Sequence, residues 1–137
     1  HYMRVFLIND KGKNEVDKIL KQHGLFGNAG PVWRGNLWDK KLANKIYKNS
    51  LKNKIFNKNN ELLKFLKTIK EESKISSVGF YDLHEICQKN GIKHLQKKEA
   101  IKEKIKKFGY KASDTHFKGQ GIRSNIPITQ LIKIIKH

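Results

Sequence analysis

The first third of the chain shows two extended patterns with a helical pattern between them. Residues 2–8 alternate and are rich in aromatic and branched side chains, which predicts a strand. A helix ending at Gly24 is predicted next, from positions three and four apart: Val16, Ile19, Leu20 and His23. Residues 31–37 predict a second extended segment.

Two amphipathic helices are predicted in the middle of the chain. Asp39 is the expected N-cap of the first. Its apolar face consists of Leu42, Ala43, Ile46 and Tyr47. The apolar face of the second consists of Leu62, Leu63, Leu66 and Ile69. Residues 48–60 between the two faces are rich in Asn and Lys and predict a loop.

The last third predicts helices around a hairpin. Asp82 and Glu85 have the spacing of a capping box, and Gly91 is the expected end of that helix. A lysine-rich helix over residues 97–108 is expected to pack through Ile101, Ile105 and Phe108. Two strands around a basic turn follow. The final helix comes after Pro127, with an apolar face of Ile128, Leu131, Ile132 and Ile135.

These elements together predict an α+β fold, with a small antiparallel sheet and amphipathic helices. Helix, strand, basic turn and strand follow one another in the second half, as in a winged helix. We therefore expect one domain over residues 1–137, with a strand and helix half (1–79) and a winged-helix-like half (80–137).

The charge of the chain points to a polyanionic partner. Thirty Lys and Arg residues stand against 12 Asp and Glu residues, for a formal net charge of +18. Such a field attracts nucleic acid in a salt-dependent way. No run of about 20 apolar residues is present, and the N-terminus lacks the pattern of a signal peptide. We expect a cytoplasmic protein without a membrane partner.

Residues 109–125 concentrate the side chains that read phosphates and bases. Arg34 and Arg123 are two of only three arginines, and each fork can hold a phosphate bidentately. His116 fits either an RNA contact or a structural hydrogen bond. Of Trp33 and Trp38, at least one is expected in the core rather than stacked on a base. The predicted RNA-binding residues are Arg34, Lys40, Lys111, Ser113, Thr115, His116, Lys118 and Arg123.

Metal binding and methyl-transfer chemistry have little support in these residues. His84 and Cys87 are three apart on a predicted helix, but two ligands do not make a site. The single cysteine fits a reduced, buried thiol. Gly119 and Gly121 follow a strand but lead into no helix, so they do not form the Gly-rich loop of a donor-binding fold. No catalytic, metal or cofactor-binding residue is predicted.

Four segments resemble, in order, the C-terminal part of the tRNA guanine 26 N2-dimethyltransferase family. They are HYMRVFL at residues 1–7, GPVWRGNLWDK at 30–40, FYDLHEICQKNGI at 80–92 and GYKASDTHFKGQGIRSNIP at 109–127. The resemblance runs nearly end to end. Asp114 stands where the family usually has an arginine.

The resemblance implies a tRNA-binding domain of an enzyme that transfers methyl groups from S-adenosylmethionine to the N2 amine of guanine 26. The catalytic domain would precede this chain, which begins at His1 as an excised fragment would. The chain alone is then expected to bind tRNA and to transfer no methyl group. Two other interpretations stay open, namely a stand-alone winged-helix DNA-binding protein and a non-specific basic RNA-binding domain.

Overall fold

The computed structural model describes residues 11–136. The chain divides into two compact units, His1–Gly35 and Asn36–His137. The strand predicted over residues 2–8 lies outside the described residues.

The first unit contains a short helix and a hairpin. Helix α1 (Lys13–Leu20) is followed by strands β1 (His23–Phe26) and β2 (Ala29–Trp33), which pair antiparallel. The prediction that His23 is helical is wrong. Its ring Nδ1 lies 3.0 Å from the carbonyl oxygen of Ile19, in the last turn of α1, while its backbone already belongs to β1. Gly27 has φ 60°, and this positive angle, which glycine adopts without a steric penalty, allows the tight turn of the hairpin.

The second unit begins with two helices whose caps follow from the sequence. Helix α2 (Lys40–Lys52) starts after Asp39, whose carboxylate accepts the backbone N–H groups of Lys41 and Leu42. This is the predicted cap. Helix α3 (Asn60–Glu72) carries the predicted apolar positions.

The loop predicted over residues 48–60 is shorter in the structure, because residues 48–52 belong to α2 and only residues 53–59 connect α2 to α3. Helix α2 continues through Ser50, which is buried and donates to the carbonyl oxygen of Ile46 at 2.9 Å. The side-chain oxygen of Asn53 accepts hydrogen bonds from the backbone N–H groups of Ile55 and Phe56, and that of Asn59 caps α3 by accepting one from Leu62. A 3-10 turn, Phe56–Lys58, lies between these asparagines. The side chains of Asn53 and Asn59 therefore mark the ends of helices. A high content of polar residues does not by itself distinguish such capping positions from a loop.

The remaining elements build a three-stranded sheet covered by helices. In chain order they are β3 (Tyr81–Asp82), α4 (Leu83–Lys89), α5 (Lys98–Lys107), β4 (Ala112–Asp114), β5 (Gly121–Ser124) and α6 (Ile128–Lys136). The strand order is β3-β5-β4, and both pairings are antiparallel. The central strand β5 is buried along its whole length. It therefore ties the turn that precedes it to the core.

The core lies between this sheet and the last three helices. It consists of Leu83, Ile86, Cys87, Ile101, Ile105, Ile122, Ile126, Leu131, Ile134 and Ile135. On the predicted apolar face of α2, Leu42 and Ile46 are 53% and 43% exposed. Two core positions predicted for α5 and α6 are also wrong. Phe108 caps the end of α5 and is 69% exposed, and Ile128 in the first turn of α6 is exposed, whereas Ile134 is buried. Both misplaced residues lie at helix ends, where the side-chain direction depends on the adjoining turn.

The α+β class is confirmed. The element order β3, α4, α5, β4, β5 supports the winged-helix assignment, which stays a prediction. Across residues 11–136, no helix has the length and apolar character needed to cross a membrane.

Candidate nucleic-acid interface

Three of the predicted site residues line one cavity in the second unit. Lys40 opens α2, and Lys111 and Ser113 lie before and within β4, so about 70 residues of chain separate them. The cavity has a volume of about 540 Å³ and is also lined by Lys74 and Lys106. Glu71 is its acidic lining residue. The fold thus gathers lysines that the sequence scatters.

A second cavity continues the first. It has a volume of about 400 Å³ and shares Lys40 and Lys74 with its neighbour, while Lys41 and Lys70 extend the basic lining. We call the two cavities together the basic groove. Its lysines are Lys40, Lys41, Lys70, Lys74, Lys106 and Lys111.

The lysines of the basic groove differ in how far their charge is compensated. Glu71 lies 2.5 Å from the Lys74 ammonium and 3.8 Å from that of Lys70. By contrast, Lys40, Lys41 and Lys111 are exposed and form no ion pair within residues 11–136. Exposed, unpaired ammonium groups along a concave surface attract and hold phosphates.

A buried charge network holds the β4–β5 hairpin against α3. Glu72, at the end of α3, is fully buried. Its Oε1 accepts a hydrogen bond from Nε of Arg123 at 3.0 Å, and its Oε2 lies 2.5 Å from Nδ1 of His116. Burial alone would raise the pKa of Glu72, but hydrogen bonds from His116, Thr115 and Arg123 outweigh it, so the pKa lies below its usual range. The carboxylate is therefore kept charged inside the unit.

This network changes the interpretation of Arg123. The residue is only 3% exposed, and besides Glu72 its guanidinium donates to the carbonyl oxygen of Ser77 at 2.8 Å. A direct phosphate contact by Arg123 does not fit this placement. Thr115 is also buried, and His116 is half-buried, so their described contacts are the structural ones.

The turn between β4 and β5 is braced from two further sides. Lys118 forms a short ion pair with Asp82, the N-cap of α4. The hydrogen bond and charge of Lys118 lower the pKa of Asp82, and the same contact raises the pKa of Lys118. Lys98 donates to the carbonyl oxygen of Gly119 at 2.7 Å. The turn is thus held in one geometry although it is exposed.

Asp114 organises part of the lysine face of α5. Both Lys98 and Lys102 place their ammonium groups 2.8 Å from its Oδ1, and their side chains are only 18% and 15% exposed. Burial alone would raise the pKa of Asp114, but the hydrogen bonds from these lysines lower it overall. Two lysines that the sequence leaves available for nucleic acid are therefore folded onto β4.

Arg34 belongs to the first unit and is exposed. Its backbone N–H donates to the carbonyl oxygen of Gln22 at 2.7 Å. A Cβ on Gly24 would lie 3.1 Å from Cδ of Arg34, so the glycine leaves room for the stem of the arginine. The guanidinium is thereby presented beside the hairpin, and its role stays a prediction.

His84 and Cys87 do not share a ligand face. His84 is exposed on α4, whereas Cys87 is 6% exposed in the core, where burial raises the pKa of the thiol. No group of three His, Cys, Asp or Glu side chains in the described part of the chain is placed to hold a metal ion.

Sequence reasoning missed Glu72 and four of the six groove lysines. Glu72 carries a signal in retrospect, since it lies three residues after Ile69 and so continues the apolar face of α3. An acidic residue on such a face indicates a buried partner. Lys41, Lys70, Lys74 and Lys106 carry no comparable signal among 30 cationic residues.

Comparisons with known proteins agree on one class, the tRNA methyltransferases. The family model described as N2,N2-dimethylguanosine tRNA methyltransferase matches residues 23–136. The tRNA (guanine(26)-N(2))-dimethyltransferase of Methanocaldococcus jannaschii is 31% identical, and the alignment covers 98% of this chain and 40% of the relative. The tRNA (guanine(26)-N(2)/guanine(27)-N(2))-dimethyltransferase of Aquifex aeolicus is 30% identical, covering 97% of this chain and 40% of the relative.

A solved structure agrees with these relatives. Trm1 from Pyrococcus horikoshii, in complex with S-adenosyl-L-methionine, superimposes with a TM-score of 0.69 at 34% identity and covers 83% of this chain and 30% of that chain. The chain therefore belongs to the N2,N2-dimethylguanosine tRNA methyltransferase family, and the resemblance seen in the sequence is confirmed. It spans about 40% of the length of the curated relatives that it matches.

Proposed function

We propose that this chain is the tRNA-recognition domain of an S-adenosylmethionine-dependent tRNA guanine 26 N2-dimethyltransferase. The basic groove carries this proposal, because its lysines converge on one concave surface, and the three unpaired ones come from two separate segments, the start of α2 and the residue before β4. The names of the relatives support tRNA as the substrate class, and the ligand of the Pyrococcus horikoshii structure supports S-adenosylmethionine as the methyl donor of the whole enzyme.

In this role the domain supplies position rather than chemistry. Lys40, Lys41 and Lys111 bind the phosphate backbone and release counterions, while the braced β4–β5 turn sets the orientation of the RNA. Arg34 and Lys118 contribute further phosphate contacts. Ser113, Thr115, His116 and Arg123 shape the hairpin from within.

Methyl transfer takes place in a separate catalytic domain that binds S-adenosylmethionine. Both described sheets of this chain are antiparallel, unlike the parallel, doubly wound sheet that holds such donors. We therefore expect purified chain, incubated with S-adenosylmethionine and unmodified tRNA, to produce no methylated guanine. Detectable methylation would contradict this division of labour.

Binding of duplex DNA through α5 is the second candidate. A winged helix would place α5 in a major groove, but Lys98 and Lys102 are folded onto Asp114. This arrangement favours RNA held in the basic groove. Competition between tRNA and duplex DNA of equal length distinguishes the two, with tRNA expected to bind more tightly.

The decisive experiment compares two double variants in tRNA titrations at several salt concentrations. Lys40→Ala with Lys111→Ala removes two groove charges, whereas Lys67→Ala with Lys107→Ala removes two exposed charges that do not line the groove. The groove variant should lose about 1 to 3 kcal/mol per contact and have a shallower salt dependence. Equal losses in both variants would indicate diffuse polyanion binding and contradict the proposal.

A further inference from the structure

Two phenylalanines form an exposed stacked pair beside the β4–β5 turn. The ring centroids of Phe80 and Phe117 are 5.6 Å apart, and the ring planes differ by only 10°. Phe117 is 62% exposed and Phe80 is 37% exposed. We call these two residues the aromatic pair. Neither belongs to the hydrophobic core.

The backbone around the aromatic pair is shaped to hold it. A Cβ on Gly121 would lie 3.0 Å from Cδ2 of Phe80 and would also collide with Cγ2 of Thr115, so only glycine lets Phe80 lie against the hairpin. The ring of His116 packs against Phe117 with a centroid distance of 4.0 Å, and His116 is itself anchored to Glu72. Phe117 is therefore positioned by contacts with Phe80 and with a residue fixed to the core.

Folding stability does not account for this arrangement. Full burial of a phenylalanine stabilises a fold relative to an exposed one, and Phe117, which is 62% exposed, forgoes most of that gain. A preorganised, exposed aromatic surface instead lowers the ordering cost of binding a planar partner. The rings of nucleic-acid bases stack on such side chains without regard to sequence.

Charge and position indicate which partner the aromatic pair binds. The chain carries +18, and Lys118 directly follows Phe117. Lys111 of the basic groove precedes Phe117 by six residues of the same hairpin, a span of at most about 20 Å. A strand whose phosphates lie in the basic groove can thus place a nearby base at the aromatic pair.

We propose that Phe117, supported by Phe80, stacks against the base of an unpaired nucleotide of the bound RNA. This inference rests on the proposed tRNA-binding function and adds a contact that requires an unstacked base. Paired bases keep their faces against their neighbours, so duplex regions do not engage the aromatic pair.

The test uses a matched set of phenylalanine variants. Phe117→Leu keeps an apolar side chain but removes the ring, Phe117→Trp keeps a stacking ring, and Phe108→Leu changes another exposed phenylalanine outside the pair. Each is titrated with a fluorescent single-stranded RNA 12-mer, with the same RNA in a full duplex, and with an unmodified tRNA transcript. Thermal melts verify that each variant is folded.

Phe117→Leu should weaken single-strand and tRNA binding by roughly 5- to 100-fold and leave duplex binding unchanged. Phe117→Trp and Phe108→Leu should bind like wild type. If Phe117→Leu and Phe108→Leu bind single-stranded RNA with equal affinity, the proposal is overturned, and the aromatic pair is then a contact site for another protein. A wild-type chain that does not bind tRNA refutes the proposed function instead, so the two failures are distinguishable.

Discussion

Replacement of Arg123 by alanine tests whether the hairpin is held by a buried charge pair. The substitution removes the 3.0 Å contact to Glu72 and the 2.8 Å contact to the carbonyl oxygen of Ser77. Glu72 remains fully buried, with His116 as its remaining ring partner. The variant therefore leaves a carboxylate charge in the interior with only part of its compensation.

The expected destabilisation is large. Removal of one partner from a buried ion pair costs about 3 to 5 kcal/mol, because the other charge stays desolvated. Domains of this size have total unfolding free energies of about 5 to 15 kcal/mol. For a unit of about 100 residues, each kcal/mol lowers Tm by roughly 4 to 8 °C, so we expect a loss of at least about 12 °C.

Thermal and urea unfolding of wild type, Arg123→Ala and Lys67→Ala measure this effect, with Lys67 as an exposed control on α3. Adding Glu72→Gln to Arg123→Ala should cost less than the sum of the single changes, since no buried anion is then stranded. If Arg123→Ala melts like wild type but binds tRNA about 1 to 3 kcal/mol more weakly, the arginine contacts RNA directly and the buried-pair argument is refuted.

Two further predictions concern the carboxylate of Asp114 and the stability of the fold in acid. Asp114→Asn should destabilise the fold by only about 1 kcal/mol, since Asp114 is partly exposed. It should also tighten the binding of duplex DNA, because Lys98 and Lys102 lose their anchor. Thermal melts and DNA titrations check both effects, and an unchanged DNA affinity would contradict the release of these lysines. The lowered pKa of Glu72 means that the unfolded state binds more protons near pH 4, so stability is complete above that range and falls as pH decreases through it. Urea unfolding between pH 3 and 7 should show this loss, with a shallower pH dependence in Arg123→Ala; stability that does not fall on acidification would argue against a charged Glu72.

The local patterns of the sequence were sufficient for most helices and for their caps. The spacing of Ile101 and Ile105 predicted the buried face of α5, and Asp39 and Asp82 predicted N-caps, because each depends on residues within one or two turns. The motif wording also identified the family, which needs order along the chain and no contact between distant residues. Local rules were wrong at residues 48–52 and at Phe108, where capping and the adjoining turn determine the geometry.

The candidate interface was decided by tertiary structure. Lys40 and Lys111 line the same cavity only because α2 and β4 both pack against α3. No local periodicity specifies that arrangement. Arg123 shows the same limit, since an arginine in a basic segment has the sequence signature of a phosphate ligand whether its partner is RNA or a carboxylate 51 residues away. The sequence alone determined the family, the helical faces and the excess of positive charge. Only the packing of distant segments decided which cations face solvent and which stabilise the interior, because ion pairing depends on distances in space that neighbouring residues do not encode.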